Sequence, residues 1–117
     1  MIEGIGLDIV EIERIGHILR RKPRFAARIL TKEELKLFER AGDSRKIEFL
    51  AGRFAVKEAY SKANGTGIGK DLGFLNIEVL PDSTGRPCLR RPEGVRAHVS
   101  ITHTKAYAAA QVIIEGE

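Results

Sequence analysis

The middle of the chain has apolar residues at intervals of three and four, which is the spacing of one face of an α-helix. This spacing predicts a long central helix, and Asn64-Gly65 is a typical signal for its end. A shorter helix is predicted to begin where Thr31 and Glu34 form a capping box and to end near Arg40. The apolar face of the central helix consists of Ile47, Leu50, Ala51, Phe54, Ala55, Ala59 and Ala63.

The two ends of the chain alternate between faces with a period of two, which indicates β-strands. In segment 2–10, one face carries Ile5, Leu7 and Ile9, and the other carries Gly4, Gly6, Asp8 and Val10. Further strands are predicted over 74–80, 86–89, 97–104 and 106–114, with an antiparallel hairpin from the last two. One or two short helices over 13–28 are interrupted by Pro23. We therefore predict an α+β fold. It consists of an N-terminal strand, a helical segment with one long central helix, and an antiparallel β-meander.

The composition narrows the class of protein. A chain of 117 residues predicts a single domain spanning 1–117, and 43% apolar residues exclude a disordered chain. No apolar run approaches the roughly 20 residues of a membrane span, and no basic segment precedes an apolar stretch at the N-terminus. The single cysteine, Cys88, allows neither an internal disulfide nor a zinc cluster, so we expect a protein of the reducing cytoplasm. Because no membrane span is predicted, we expect no membrane partner. The absence of Trp and 6% aromatic residues argue against a nucleic-acid partner.

Positive charge is concentrated in one segment. Residues 14–28 contain six basic residues and no acidic one, whereas residues 1–13 contain acidic residues and no basic one. The basic residues are Arg14, Arg20, Arg21, Lys22, Arg24 and Arg28. Such a local field attracts phosphates, nucleic acid, anionic lipid or an acidic protein, although a solvated basic face explains the same pattern.

Asp8 is a candidate site residue, because two glycines precede it on its face of the predicted strand. Without side chains at Gly4 and Gly6, this face admits the close approach of a ligand or of another backbone. A bulge, or a tightly packed strand whose Asp8 caps the next helix, explains the same pattern.

Glu58 and Lys62 share a face of the central helix, and with Arg53 and Lys57 they lie off its apolar stripe. A surface ion pair worth about 0.3–0.5 kcal/mol would account for Glu58 and Lys62. The glycine-rich segment 65–70 follows and allows backbone N–H groups to meet an anion. It matches neither the Walker loop nor the dinucleotide-binding loop, and a plain helix C-cap explains it equally well.

Three segments in register resemble the holo-acyl-carrier-protein synthases of the 4′-phosphopantetheinyl transferase superfamily. The first is GIGLDI at 4–9, with Arg14 six residues beyond Asp8. The second is RFAVKEA at 53–59, which leads through Lys62-Ala63 into Gly65-Thr66-Gly67. The third is VSITHT at 99–104, in which Thr102 stands where many members have serine. The resemblance covers essentially the whole chain and is to the short bacterial type.

The resemblance implies transfer of 4′-phosphopantetheine from coenzyme A to a serine of apo-acyl carrier protein, with release of adenosine 3′,5′-bisphosphate, in fatty acid biosynthesis. It implies Mg²⁺ as the cofactor, held by Asp8 and Glu58, and this metal commonly takes one or two carboxylates. It also implies that Lys62 reaches the diphosphate, where we favour a counter-charge over a proton donor. The expected base for the attacking serine is Glu58 or a water that Glu58 orients.

The resemblance further implies contacts to coenzyme A and to a protein partner. The expected coenzyme A contacts are Lys62, the Gly65, Thr66 and Gly67 backbone, His103 and Thr104. The basic residues expected near the ribose 3′-phosphate or the adenine are Arg45, Lys46, Arg53 and Lys57. The residues expected to dock the acidic acyl carrier protein are Arg14, Arg21, Arg24 and Arg28. A homotrimer with sites between neighbouring subunits is implied as well, whereas His103 on its own would be a hydrogen-bonded histidine on a strand.

Other classes of function fit parts of the pattern. A non-enzymatic basic module that binds polyanions would use the cluster at 14–28, but it would be indifferent to Mg²⁺ and to the loss of Asp8. A different coenzyme A enzyme, such as an acyltransferase, would not need metal-binding carboxylates. An inactive structural subunit could keep the fold without the reaction.

Overall fold

The structure is a computed structural model that describes residues 1–116, and over these residues the chain forms five strands and four α-helices. In chain order they are β1 (Ile2–Glu11), α1 (Ile12–Arg21), α2 (Phe25–Ile29), α3 (Lys32–Arg40), α4 (Asp43–Asn64), β2 (Glu78–Pro81), β3 (Pro87–Arg91), β4 (Arg96–His103) and β5 (Tyr107–Glu115). All strand pairs are antiparallel, in one sheet of order β1-β5-β4 and a second sheet of β2 and β3. The α+β class and the predicted β4–β5 hairpin are therefore confirmed.

The helix α4 is the central element of the core. Ten of its residues are buried, and it packs against β1 and β5. Gly65 ends it in the left-handed conformation, with φ of 86°, as the Asn64-Gly65 signal predicts. Within residues 1–116, no helix has the length and apolar character needed to cross a bilayer.

The strand β1 presents its glycine face to α4. A methyl group at Gly4 would overlap the carbonyl oxygen of Ala63, and one at Gly6 would overlap the carbonyl oxygen of Ala59. Among the explanations for these glycines, the close approach of another backbone is therefore the correct one. The helix α4 fills the space on this face at Gly4 and Gly6, so a ligand does not account for the two glycines.

The opposite face of β1 is apolar and uncovered. Ile5, Leu7 and Ile9 share this face, as the alternation predicts. These three residues are between 59% and 65% exposed. In β5, Ile113, Gln111 and Ala109 are their register partners and extend the same face. This surface is called the outer sheet face below.

The predicted strand over 74–80 differs from the structure. In place of one continuous strand, Phe74–Asn76 forms a 3₁₀ turn and β2 begins at Glu78. The Asn76 side chain accepts a hydrogen bond from the Gly73 N–H at 2.8 Å, which stabilises this turn in place of a strand. Pro23 does separate two short helices, α1 and α2, as predicted.

A buried ion pair joins α3 to α4. Lys57 Nζ lies 2.6 Å from Glu34 Oε1, and both side chains are fully buried. Glu34 also closes the predicted capping box with Thr31 and accepts a hydrogen bond from the Val79 N–H at 2.8 Å. The prediction that Lys57 lies off the apolar face is wrong, because its ammonium lies inside the core.

Candidate active site

Asp8 of β1 lies beside Lys62 of α4, and Glu58 lies one helical turn before Lys62 on the same side of that helix. Lys62 Nζ lies 3.0 Å from Asp8 Oδ1, and Asp8 is close enough to Glu58 to shift its pKa. The contact of the Gly6 backbone with Ala59, one residue beyond Glu58, brings the strand and the helix together here. The three residues implied as catalytic thus form one cluster, and the glycines build it by letting α4 approach.

A pocket of about 500 Å³ opens beside this cluster. It is lined by Leu7, Asp8, Ile9, Lys62 and Ala109. The Asp8 side chain is only 16% exposed, whereas that of Lys62 is 54% exposed. The cluster therefore combines a carboxylate held in place by its surroundings with a cation that has room to move.

The surroundings of Glu58 disfavour its negative charge. Burial raises the pKa of Glu58, the negative charge of Asp8 raises it further, and the positive charge of Lys62 acts in the opposite direction. A bound cation would offset this repulsion, so the two carboxylates form a candidate binding position for a cation.

The donor set at this position fits Mg²⁺. Within residues 1–116, no group of three or more His, Cys, Asp or Glu side chains is arranged to hold a metal, so the chain offers two carboxylates and no complete cage. Structural zinc sites need four protein ligands, whereas Mg²⁺ usually keeps waters and takes one or two carboxylates together with substrate phosphates. Asp8 and Glu58 would therefore hold Mg²⁺ with its remaining positions left to substrate and water.

A second pocket, of about 480 Å³, lies between α4 and β4. Three of the basic residues implied as coenzyme A contacts line it, namely Arg45, Arg53 and His103. Glu48 also lines it and places a carboxylate oxygen 3.7 Å from His103 Nδ1. The pocket is called the basic pocket below, and its charge is suited to a phosphate group.

Arg53 is held more firmly than the sequence indicates. Its Nε donates to the Val79 carbonyl at 3.0 Å, and its guanidinium lies 4.4 Å from the centre of the Phe49 ring. Burial lowers the pKa of Arg53, although Glu34 opposes this effect. The side chain is thus one anchored wall of the basic pocket.

Two other basic residues on α4 do not line the basic pocket. Lys46 places its ammonium 5.8 Å from the centre of the Phe38 ring, on the side of α3. Lys57 donates to Glu34 and to the carbonyls of Ile29 and Phe74, so its ammonium hydrogens are all used inside the core. A contact between Lys57 and coenzyme A is therefore overturned.

The glycine-rich loop after α4 is a helix cap in this structure. The N–H groups of Gly65, Thr66 and Gly67 donate to the Ser61 carbonyl at 3.1 to 3.3 Å. These donors are occupied within the chain in the described structure, and their expected contact with phosphate stays a prediction. Thr104 likewise uses its hydroxyl to accept from the N–H groups of Ala106 and Tyr107, in the turn between β4 and β5.

The basic residues of α1 and α2 are exposed. Within residues 1–116, none of the four expected docking residues forms a salt bridge with a carboxylate. They are Arg14, Arg21, Arg24 and Arg28. Arg14 lies six residues beyond Asp8 in the sequence. Because α1 begins directly after β1, the basic surface follows the cluster closely along the chain.

Sequence reasoning missed Glu48 and Phe49, which shape the basic pocket, and the burial of Lys57. A signal for Lys57 was present, because Leu50, Phe54, Lys57 and Ser61 follow intervals of four, three and four on the helix. Nothing in the spacing singles out Glu48, since its role depends on β4 crossing α4.

Known proteins of one family are similar to this chain over most of its length. A family model described as the 4′-phosphopantetheinyl transferase superfamily matches residues 4–112. A Listeria welshimeri protein named holo-[acyl-carrier-protein] synthase is 57% identical, over 98% of this chain and 99% of that protein. A Bacillus velezensis protein of the same name is 59% identical, over 98% of this chain and 97% of that protein.

Solved structures of two such proteins are similar to this structure over all or nearly all of the chain. The crystal structure of a Bacillus anthracis holo-(acyl-carrier-protein) synthase in complex with CoA (3′,5′-ADP) is 50% identical, with a TM-score of 0.93 over 100% of this chain and 99% of that chain. The structure of Helicobacter pylori holo-[acyl-carrier-protein] synthase in complex with coenzyme A is 34% identical, with a TM-score of 0.84 over 95% and 99% of the two chains.

Proposed function

The chain belongs to the 4′-phosphopantetheinyl transferase superfamily, as an enzyme of the holo-acyl-carrier-protein synthase type, and from this premise we propose its reaction in detail. It moves 4′-phosphopantetheine from coenzyme A to a serine hydroxyl of apo-acyl carrier protein and releases adenosine 3′,5′-bisphosphate. The reaction requires Mg²⁺ and serves fatty acid biosynthesis in the cytoplasm. The observation that supports it most directly is the convergence of Asp8, Glu58 and Lys62. Membership of this family of enzymes also excludes the non-enzymatic polyanion-binding alternative.

The cluster is suited to the charge changes of phosphoryl transfer. Bound by Asp8 and Glu58, Mg²⁺ would neutralise charge on the diphosphate of coenzyme A. Lys62 lies beside Asp8 at 3.0 Å and supplies a further positive charge that can reach the same diphosphate. Asp8 orients that ammonium, and so does the Leu7 carbonyl, which also lies 3.0 Å from Lys62 Nζ.

Glu58 is the proposed base for the serine hydroxyl, directly or through a water that it orients. Its raised pKa, caused first by burial and then by Asp8, makes it a stronger base than an ordinary exposed glutamate. The proton leaves the serine as its oxygen attacks the phosphorus, and the phosphorus–oxygen bond to the adenosine bisphosphate breaks. The basic pocket, with Arg45, Arg53 and His103, is the proposed position of phosphate on the nucleotide portion.

The transfer itself tests the proposal. The protein is incubated with apo-acyl carrier protein, coenzyme A and Mg²⁺, and intact-mass spectrometry is expected to show one phosphopantetheine group on the carrier. Nucleotide analysis should show one adenosine 3′,5′-bisphosphate for each group transferred. A carrier whose acceptor serine is replaced by alanine is the control. The proposed reaction would be refuted if the carrier stayed unmodified with Mg²⁺ and coenzyme A present.

The basic surface of α1 and α2 is the proposed docking site for the acidic carrier protein. Reversing Arg14 and Arg24 to Glu is expected to raise the apparent KM for the carrier about tenfold, because steering between opposite charges speeds encounter. The KM for coenzyme A should stay within a factor of two or so, since both residues are exposed and outside the basic pocket. Initial-rate kinetics at several salt concentrations measure both constants.

The matched control for this variant reverses Arg90 and Arg91, which are exposed on β3. It makes the same change in net charge and should leave the KM for the carrier near that of the unaltered protein. Equal effects of the two double variants on the carrier, or equal effects on carrier and coenzyme A, would contradict docking at α1 and α2.

The outer sheet face supports the proposal of a homotrimer with sites shared between subunits. Ile5, Leu7 and Ile9 form a row of large exposed apolar side chains, and such surfaces mark protein–protein contacts. Leu7 and Ile9 also line the pocket beside Asp8, so an interface on this face would border the catalytic cluster. The basic pocket and the Asp8 pocket have no lining residue in common, and a neighbouring subunit offers a way to combine them.

Replacing Leu7 with Glu is expected to convert the trimer into single chains, because a carboxylate would be buried without a partner in the interface. Sedimentation equilibrium should give three times the 13.0 kDa of one chain for the unaltered protein and 13.0 kDa for the variant. Leu75→Glu is the control, since Leu75 is 50% exposed in the 3₁₀ turn and outside this face. A variant that keeps the mass of the unaltered protein would contradict the interface.

A further inference from the structure

Lys62 binds the same carboxylate that is assigned to the metal. Its ammonium donates to Asp8 Oδ1 at 3.0 Å and to the Leu7 carbonyl at 3.0 Å, so β1 contributes two oxygens to it. Asp8 is largely enclosed by its surroundings, and its carboxylate is the negative partner for both cations. The positive charge of Lys62 therefore occupies the position that a divalent cation on Asp8 must share or take over.

We propose that Lys62 competes with the divalent cation for Asp8 and thereby couples metal binding to coenzyme A binding. This inference rests on the proposed function and assigns Lys62 a role before any chemistry takes place. Without nucleotide, the ammonium repels the entering cation and has to give up its bond to Asp8. With coenzyme A bound, the diphosphate offers the ammonium a new anionic partner, so this opposition is largely removed.

The geometry allows Lys62 to change partners. More than half of its side chain is exposed, and its four-carbon stem lets the ammonium reposition at little cost. Glu58, in contrast, has no ammonium at its carboxylate in the described structure, and the effect of Lys62 on its pKa is smaller than those of burial and Asp8. Competition should therefore act through Asp8. Because coupling between two ligands is reciprocal, the metal should raise the affinity for coenzyme A by the same factor.

The first test measures metal affinity without any nucleotide. Mn²⁺ is titrated into the protein and followed by electron paramagnetic resonance, with Mg²⁺ titrations by calorimetry as a second readout. Lys62→Gln is expected to bind Mn²⁺ about three- to tenfold more tightly than the unaltered protein, while Lys62→Arg stays near it. An affinity for Mn²⁺ that is unchanged or weaker in Lys62→Gln would overturn the proposal.

Lys36→Gln is the matched control for this test. Lys36 forms an exposed ion pair with Glu33 at 2.9 Å on α3, so the substitution removes the same charge and a similar contact away from the cluster. It should leave Mn²⁺ affinity unchanged. An equal tightening in Lys36→Gln and Lys62→Gln would assign the effect to net charge and overturn the role of Lys62.

The second test measures the coupling. Mn²⁺ affinity is determined with and without saturating coenzyme A, in the absence of carrier protein so that no transfer takes place. The factor by which coenzyme A tightens Mn²⁺ binding is expected to be at least threefold smaller in Lys62→Gln than in the unaltered protein. An equal factor in both proteins would refute the coupling. Since neither measurement depends on turnover, failure here is separate from failure of the transfer assay.

Discussion

Replacing Asp8 with Asn is expected to lower the rate of transfer at saturating substrates by about 100-fold or more. Asparagine keeps the size of the side chain and an oxygen that Lys62 can reach, but it removes the negative charge that a divalent cation needs. The charge stabilisation that a metal gives to a transferring phosphoryl group is worth several kcal/mol, and each 1.36 kcal/mol or so is tenfold in rate. Single-turnover mass spectrometry of the carrier protein measures the change.

The control for this substitution is Glu33→Gln, which removes one exposed carboxylate from α3 and should change the rate by less than about twofold. Glu58→Gln is the companion variant, because it removes the second carboxylate and the proposed base together. Full turnover of Asp8→Asn at saturating Mg²⁺ would refute the metal-binding role of Asp8. Full turnover of Glu58→Gln would refute both roles of Glu58.

The face on which each residue of this cluster lies was predictable, because it depends on local patterns. Alternation places Asp8 on one face of β1, and helical spacing places Glu58 and Lys62 on one side of α4. Their convergence came from the resemblance, since no rule of spacing says that β1 crosses α4 at this level. The glycines do determine the crossing, but their pattern is equally compatible with a ligand and with a backbone, and the structure selects the backbone.

The features that the sequence did not predict are contacts between distant segments. The basic pocket depends on β4 lying beside α4, so Glu48 has no local pattern that distinguishes it from any exposed glutamate. The glycine pattern at 65–67 is compatible with an anion-binding loop and with a helix cap, and the cap depends on the Ser61 carbonyl, which accepts the N–H groups of the loop. The division of the strands into two sheets likewise depends on the pairing of β1 with β5, which joins opposite ends of the chain.

The contacts of the buried Lys57 ammonium are expected to have the largest effect on the free energy of unfolding. Its ammonium has three partners, Glu34 Oε1 at 2.6 Å and the carbonyls of Ile29 at 2.6 Å and Phe74 at 3.1 Å. Burial lowers the pKa of Lys57, and Glu34 opposes that change, so the pair depends on close mutual contact. Removing one partner of such a pair leaves the other as an uncompensated buried charge.

Replacing Lys57 with Met is therefore expected to lower the free energy of unfolding by about 3–5 kcal/mol. Methionine fills most of the volume, so the loss should come from the isolated Glu34 carboxylate and the two carbonyls without a donor. Equilibrium urea unfolding at a fixed protein concentration measures the change. Adding Glu34→Gln to Lys57→Met should recover part of the loss, because it removes the isolated charge while the amide oxygen can still accept from one of the two backbone N–H groups, Thr31 or Val79, that donate to Glu34. Lys36→Gln, which breaks an exposed pair, should cost less than about 1 kcal/mol. A loss in Lys57→Met as small as that of Lys36→Gln would mean that the buried pair does not stabilise the junction of α3 and α4.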